Sequence, residues 1–301
     1  MKRINKKVTA DEQQVASLLD AGLDAHQIAL VMNAPQANIN QMVADIKQRR
    51  NQTIQQLLKI NFGRPLELKG DDWMITADWH VPETDWRLTE RMIGIAQKHM
   101  LAPRRLIIAG DFFSQTQFSK YAHLIPPTPW AQERDAAREI LRCVLDTFAE
   151  VYIVMGNHDR RLVKWADAAL DETDLFGMVV NDPRVVVSKF AYLTLNASTG
   201  KWRVTHPEAY RQVRGSAAAV LADDLGMNVI SGHEHHTALL FSKSGRHLVV
   251  NIGGLYDPGK IAYTQLTDNL KPRMKPSFAM LKDGYINLFA DGLSPWSVWG
   301  V

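Results

Sequence analysis

The sequence predicts an α/β fold of two packed β-sheets flanked by helices, with a small all-α domain at the N-terminus. Three observations carry that prediction. After residue 70, short β-branched or apolar runs alternate with longer amphipathic stretches. Clusters of Asp, Asn and His fall just past the ends of several of those runs, where α/β folds place groups that converge on a ligand. Residues 9–50, by contrast, show helical periodicity alone. The chain has 301 residues, 46% of them hydrophobic, enough for one large domain and a small one. We read residues 1–50 as the small domain, 51–70 as a linker and 71–301 as the main domain.

In the first domain Val15, Leu18, Leu19 and Leu23 recur at helical spacing. Ile28, Val31 and Met32 follow, then Ile39, Met42, Val43 and Ile46. Asp24 is placed to cap the second helix, and Pro35 suits the first turn of the third. From Ala25 to Ile46 the pattern resembles a helix-turn-helix: Ile28-Ala29 supplies its apolar-Ala pair and Asn33 stands at its turn position. Glycine is usual there because φ is positive, and Asn is the next most tolerant residue. As a DNA reader, the module would offer Gln36, Asn38, Asn40 and Gln41 to base edges. Lys47, Arg49 and Arg50 would sit on phosphates. A module for dimerisation or protein docking fits the same pattern. Asn51 to Ile60 can continue the third helix, and Asn61-Phe62-Gly63-Arg64-Pro65 breaks it.

In the main domain, strands are expected at 73–77, 106–109, 151–155, 185–187, 191–195, 202–205, 229–231, 248–252, 278–281 and 285–289. Helices are expected at 86–100, 130–150, 161–170 and 216–225.

The bulk composition excludes several classes. One cysteine, Cys143, rules out a disulfide framework and a thiolate metal site, and it reads as a core residue of an Ala-rich helix. No apolar run is long enough to span a bilayer, and no apolar signal segment follows the basic start Met1 to Lys7. A cytoplasmic protein without a membrane partner is expected. The net charge is +3, and residues 1–60 carry eight Lys/Arg against five Asp/Glu, so the rest of the chain is balanced. A basic module beside a neutral body hints at a polyanionic partner.

Five short motifs carry the chemistry. They are Asp78-Trp79-His80, Gly110-Asp111, Gly156-Asn157-His158-Asp159, a lone His206, and Gly232-His233-Glu234-His235. Carboxylate, imidazole and amide oxygen are ligand types that hold a pair of divalent ions, and two-metal sites hydrolyse phosphate esters. The order of the motifs, over roughly residues 71–290, resembles the calcineurin-like metallophosphoesterase superfamily, with its sandwich fold. The resemblance implies one metal held by Asp78, His80, Asp111 and His235. It implies a second held by Asp111, Asn157, His206 and His233, with Asp111 as the bridge. A hydroxide between the ions would attack phosphorus in line. His158 would lie over the substrate and protonate the leaving oxygen, and Asp159 would accept a hydrogen bond from His158.

Arg160 and Arg161 follow the third motif and are candidates to grip a non-scissile phosphate, against a solvated helix start. Tyr121 and His123 lie in a Pro-rich excursion, a candidate lid over the site. Tyr210 and Arg211 follow His206 as weaker substrate candidates. Trp79 reads as packing, and His26, His99, His236 and His247 read as ordinary structural residues. The Gly253-Gly254 turn is placed to let backbone approach the site.

Phe112-Phe113-Ser114 after Asp111, and Asp159 in the third motif, disfavour a serine/threonine protein phosphatase within the resemblance. The Asn-His-Asp form suits nucleases and small-nucleotide hydrolases alike. The basic N-terminal module tips the reading toward a metal-dependent DNA nuclease with DNA as partner. The combination looks like phosphoesterases encoded by bacteriophages or prophages. The alternative is a cyclic- or small-nucleotide phosphodiesterase or phosphatase whose N-terminal helices make a homo-oligomer. A DNA-binding regulator with a vestigial phosphoesterase body is a third reading, which the intact ligand set argues against. Manganese is the favoured metal, with iron, zinc or nickel acceptable to the same ligands.

Overall fold

A computed structural model describes residues 10–58, 63–119, 122–123, 126–167, 169–209, 211, 213–261 and 274–301. The chain divides into two compact units, Met1–Arg64 and Pro65–Val301.

The first unit has three helices, α1 (Ala10–Asp20), α2 (Ala25–Val31) and α3 (Gln36–Leu57). Asp24 caps α2 by accepting from the amides of His26 and Gln27, and Gln27 reaches back to complete a capping box. Asn33 has φ of 48°, the left-handed turn that the helix-turn-helix pattern requires. Val15, Ile28, Ala29, Ile39, Val43 and Ile46 form the core, with Leu18, Leu19, Leu23, Met32 and Met42 packed against it as helical spacing predicts, whereas Val31, expected among them, is exposed. α3 continues to Leu57, as the stretch from Asn51 allowed, and takes the first part of what reads as linker.

The second unit carries two six-stranded mixed sheets. In chain order the strands are β1 (Glu67–Lys69), β2 (Trp73–Thr76), β3 (Arg105–Ala109), β4 (Glu150–Val154), β5 (Val185–Ser188), β6 (Tyr192–Ala197), β7 (Gly200–Thr205), β8 (Asn228–Ser231), β9 (Ala238–Phe241), β10 (Leu248–Asn251), β11 (Phe278–Lys282) and β12 (Tyr285–Phe289). One sheet has the order β1-β6-β7-β8-β10-β9 and the other β12-β11-β2-β3-β4-β5. The helices are α4 (Trp86–His99), α5 (Trp130–Leu145), α6 (Arg160–Trp165), α7 (Glu172–Gly177), α8 (Ser216–Leu225) and α9 (Trp296–Trp299).

Alternation along the strands sorts the core into layers. Trp73, Ile75 and Ala77 pack with Leu193, Leu195, Trp202, Val204 and Ile230, so residues of both sheets meet in one cluster. Met74, Leu106, Ile108, Val151 and Ile153 instead join Met92 and Ile95 of α4 and Leu141 and Val144 of α5. Ala218 and Ala222 of α8 pack on Val229 and Val249. A strand covered on both faces reads as a continuous apolar run, which is why Trp73–Thr76 is buried throughout. The expected sandwich flanked by helices is therefore the observed one. β1, β9, α7, α9 and a 3-10 turn at Thr116–Phe118 were not expected from the sequence; all are short.

Candidate metal centre

The site is built at one end of the sandwich. β2, β3 and β4 run parallel in one sheet, and β7 and β8 run parallel in the other. Asp78, Asp111 and Asn157 follow the first three, and His206 and His233 follow the other two. Parallel strands bring their C-terminal ends to the same edge, so motifs far apart in sequence converge.

Backbone conformation aims the side chains. Asp78, His80, Asp111, His233 and His235 all have positive φ, between 45° and 80°. Non-glycine residues held there are strained, and such strain gathers at functional sites. The loops are then tied across the two sheets. His233 N–H donates to Asp78 Oδ2 at 2.9 Å, and His206 Nδ1 donates to the carbonyl of Ala109 at 2.9 Å. Gly156 lies so close that a Cβ there would sit 2.0 Å from Asp111 Oδ1. Gly254, at φ of 100°, leaves room for Asp78 in the same way, as its place after the last motif suggested.

Two groups of donor atoms result. Asp78, His80 and His235 form one, with His235 Nε2 3.2 Å from Asp78 Oδ1 and His80 Nε2 3.0 Å from His235 Nε2. Asp111, His206 and His233 form the other, with His206 Nε2 3.2 Å from Asp111 Oδ2 and 3.3 Å from Asn157 Oδ1. Asp111 also groups with His80 and His158.

Hydrogen-bond logic tests whether a metal fits. A carbonyl only accepts, so His206 Nδ1 carries the proton. The neutral ring then presents its Nε2 lone pair to two oxygens that also carry lone pairs. Three acceptors converging in a buried place require a cation. Without metal that cation is a proton: burial works against the charged ring, but the carboxylates of Asp111 and Asp78 outweigh it and push His206 up to about 10. Burial also works against ionised Asp78 and Asp111, yet His235 and His206 beside the first, and His206 and His158 beside the second, hold both below the usual carboxylate range. Ionised carboxylates and inward-facing imidazole nitrogens are what a divalent ion takes as ligands.

Asp159 has a different job from the expected one. It is fully buried and accepts from the amides of Asp111 (2.9 Å), Phe113 (3.0 Å) and Gly156 (2.9 Å). It rivets the second motif to the third and does not orient His158. His158 Nδ1 instead donates to the carbonyl of Ser114 at 3.0 Å, and its Nε2 lies 2.6 Å from Arg161 Nη2. Burial and the neighbouring Asp111 raise Asp159 to about 6.

Of the predicted substrate contacts, Arg161 reaches the site. Arg160 turns away, donating to the carbonyl of Lys189 at 2.7 Å and facing Glu172 at 3.5 Å. His123 is exposed and belongs to none of the metal-ligating groups among the described residues. Tyr121 and Tyr210 lie outside the described residues. Trp79 is buried packing, as read, and His99 bonds the carbonyl of Trp299.

Sequence reasoning missed four supporting residues. Glu234 is buried between His233 and His235 and accepts from the Arg211 amide and the Asn251 side chain. Gln115 and Glu133 hold the loop after β3: the Gln115 amide donates to Glu133 at 2.7 Å, and the Gln115 side chain accepts from Leu162 N–H at 2.6 Å. Tyr256 packs its ring 4.5 Å from that of His235. Glu234 sits inside a motif and was readable; the others join only through folding.

The calcineurin-like phosphoesterase family model matches residues 72–237, more than half of the chain. The chain belongs to the calcineurin-like phosphoesterase family, and it is a metal-dependent phosphoester hydrolase. Among solved structures it is similar to Vacuolar Protein Sorting 29 from Cryptosporidium parvum, at 18% identity and a TM-score of 0.39, covering 73% of this chain and 98% of that one. A predicted phosphoesterase from Streptococcus pneumoniae TIGR4 is similar at 12% identity and a TM-score of 0.32, covering 73% and 97%. A putative diadenosine tetraphosphatase is similar at 12% identity and a TM-score of 0.36, covering 77% and 100%. No curated protein is similar enough in sequence to count as a match. No helix among the described residues is long and apolar enough to cross a membrane.

Proposed function

We propose that this hydrolase is a phosphodiesterase acting on DNA, with two divalent ions, manganese favoured, held by Asp78, His80, Asp111 and His235 and by Asp111, Asn157, His206 and His233. Bound ions supply Lewis acidity toward phosphorus and activate water near neutral pH. The chain supplies the rest. His158 lies beside the metal ligands, its ring 4.6 Å from that of His80, where Nε2, once it has taken up a proton, can pass it to a leaving oxygen. Arg161 offers a guanidinium to phosphoryl oxygens.

One observation carries the choice of DNA. Asn33 adopts the left-handed turn that a helix-turn-helix calls for, and α3 beyond it exposes Asn38, Asn40 and Lys47. A module that binds DNA raises the local concentration of the polymer at a tethered site. A second reading, hydrolysis of cyclic or small nucleotides with the helices used for assembly, is favoured by how other side chains are spent. Gln36 bonds His26, the Ala25 carbonyl and Asn40; Gln41 bonds Asp45. Arg49 pairs with Glu12 and Arg50 with Asp20. Leu30 and Val31 are exposed on α2.

The test is to incubate manganese-loaded protein with end-labelled single- and double-stranded DNA, beside Asp111→Ala, and to size the products. Cleavage by the wild type alone supports the nuclease. Intact DNA, in a preparation that still hydrolyses bis(p-nitrophenyl) phosphate, turns the reading to small nucleotides and assembly.

A further inference from the structure

The third motif runs straight into α6, whose sequence is Arg160-Arg161-Leu162-Val163-Lys164-Trp165. The helix carries cations and an indole but no acidic residue. Arg160 is spent on Glu172 and Arg161 on the site, while Lys164 is exposed beside the indole. Trp165 is 71% exposed, the most open of the eight tryptophans. An indole left in water forgoes the energy its burial would supply. Single exposed apolar residues are common, so the surroundings decide whether this one has a use.

Those surroundings join Trp165 to the metal centre. The Ser114 carbonyl accepts from His158 Nδ1 at 3.0 Å and from Arg161 Nη1 at 2.9 Å, so the loop after β3 meets the start of α6 beside the ligands. The Gln115 side chain fastens the two: it accepts from Leu162 N–H at 2.6 Å and donates to the Asp159 carbonyl at 3.3 Å. Four residues on from Ser114 stands Phe118, in the 3-10 turn. Four residues on from Arg161, on the same helix face, stands Trp165. The two rings meet there, 5.4 Å between centroids and tilted by 48°. Phe118 is half-buried against the main core, so it is the anchored ring and Trp165 the one it props. The indole therefore stands about one helical turn, roughly 5.4 Å, along α6 from the residue that touches His158.

A flat apolar ring one turn away from a phosphoryl site suits a ligand that joins an anion to a flat ring through a spacer. Nucleotides are built that way, with a sugar between base and phosphate. Every base has a π-face, so stacking on an aromatic side chain tolerates any of them. Lys164 beside the indole adds positive charge suited to a further phosphate. An alkyl phosphate or a sugar phosphate would leave the indole uncovered. We propose that Trp165, propped by Phe118, is a stacking platform for the nucleobase of the substrate and so a specificity-determining residue. The inference rests on phosphoester hydrolysis at this centre and applies to DNA and to small nucleotides alike.

The test compares two diesters with one leaving group, thymidine 5′-(p-nitrophenyl phosphate) and ethyl p-nitrophenyl phosphate, in manganese-loaded protein. Trp165→Ala is expected to lower kcat/KM about tenfold on the thymidine ester, chiefly through KM, and less than about twofold on the ethyl ester. Trp165→Tyr keeps an aromatic face and should recover most of that loss. Because the side chain is mostly in solvent, neither change disturbs the core. Equal losses on both esters, or none on either, would overturn the proposal.

A binding measurement reads the same contact without turnover. In zinc-loaded protein the 15N-indole resonance of Trp165 is assigned by its absence in Trp165→Ala. A 5′-phosphonate of thymidine, which has no ester to cleave, should move that resonance, and methylphosphonate should not. A Trp165 resonance indifferent to the nucleoside phosphonate, or moved equally by both, would also overturn the proposal. A wild type that cleaves neither ester contradicts the proposed function, whereas an active wild type with no preference for the thymidine ester contradicts this inference alone.

Discussion

Asp78, His80, Asp111, His206 and His235 are buried and converge from two sheets, whereas Asn38, Asn40 and Lys47 lie exposed along one helix. The difference is one of cost. Burying carboxylates and imidazoles, on backbone of positive φ, is unfavourable unless something returns the energy, and a bound cation does so. Exposed amides and a lysine cost nothing to keep, so their presence says little by itself. The expense of an arrangement is therefore a better guide to function than the residue types in it. By that standard the metal centre is strongly marked, and the helical unit is marked mainly by the left-handed Asn33.

Breaking the expensive side should have the largest effect. Asp111 stands in two donor groups, and Asp111→Ala should lower diester hydrolysis by about a thousandfold or more, measured as kcat/KM in manganese. Gly156→Ala places a methyl against the Asp111 carboxylate; it should cost about 2–4 kcal/mol in urea unfolding and most of the metal affinity. Asp159→Asn leaves a buried amide group facing backbone N–H donors and should cost about 2–3 kcal/mol in the metal-free protein.

Glu133 gives a pH-dependent test of the supporting loop. Burial raises its carboxyl from the ordinary 4.5 to about 8. A carboxyl raised on folding lends stability that is fully present below the unfolded value and is lost as pH rises through the folded one. The contribution therefore declines between about 4.5 and about 8. Glu133→Gln keeps an acceptor for the Gln115 amide and removes the ionisation. Relative to wild type it should gain about 1–3 kcal/mol on going from pH 5 to pH 8.5, read from urea midpoints.

The smallest effects belong to the helical unit and sharpen the comparison there. Lys47→Ala should weaken DNA binding about threefold and reduce the salt slope by about one. Arg50→Ala, which breaks an exposed pair with Asp20, should shift stability by less than about 1 kcal/mol.

How much was legible follows the same division. That Asp78, His80, Asp111, Asn157, His206, His233 and His235 converge was readable, because metal chemistry restricts residue type and strand ends restrict position. The sheets were readable because buried strands read as apolar runs. Asp159 was misread because its residue type fits two jobs, and the choice depends on which amides the closing loops present. Gln115 and Glu133 were invisible because a bond between residues 18 apart leaves no periodic trace. β9 was missed because Ala238–Phe241 is a four-residue edge strand with half its side chains exposed.

The most direct test of the metal centre is calorimetric titration of metal-free protein with manganese, wild type beside Asp111→Ala. The account predicts two ions per chain for the wild type and, with the bridge removed, at most one. A wild type that binds no ions, or binds them no differently from the variant, would contradict it.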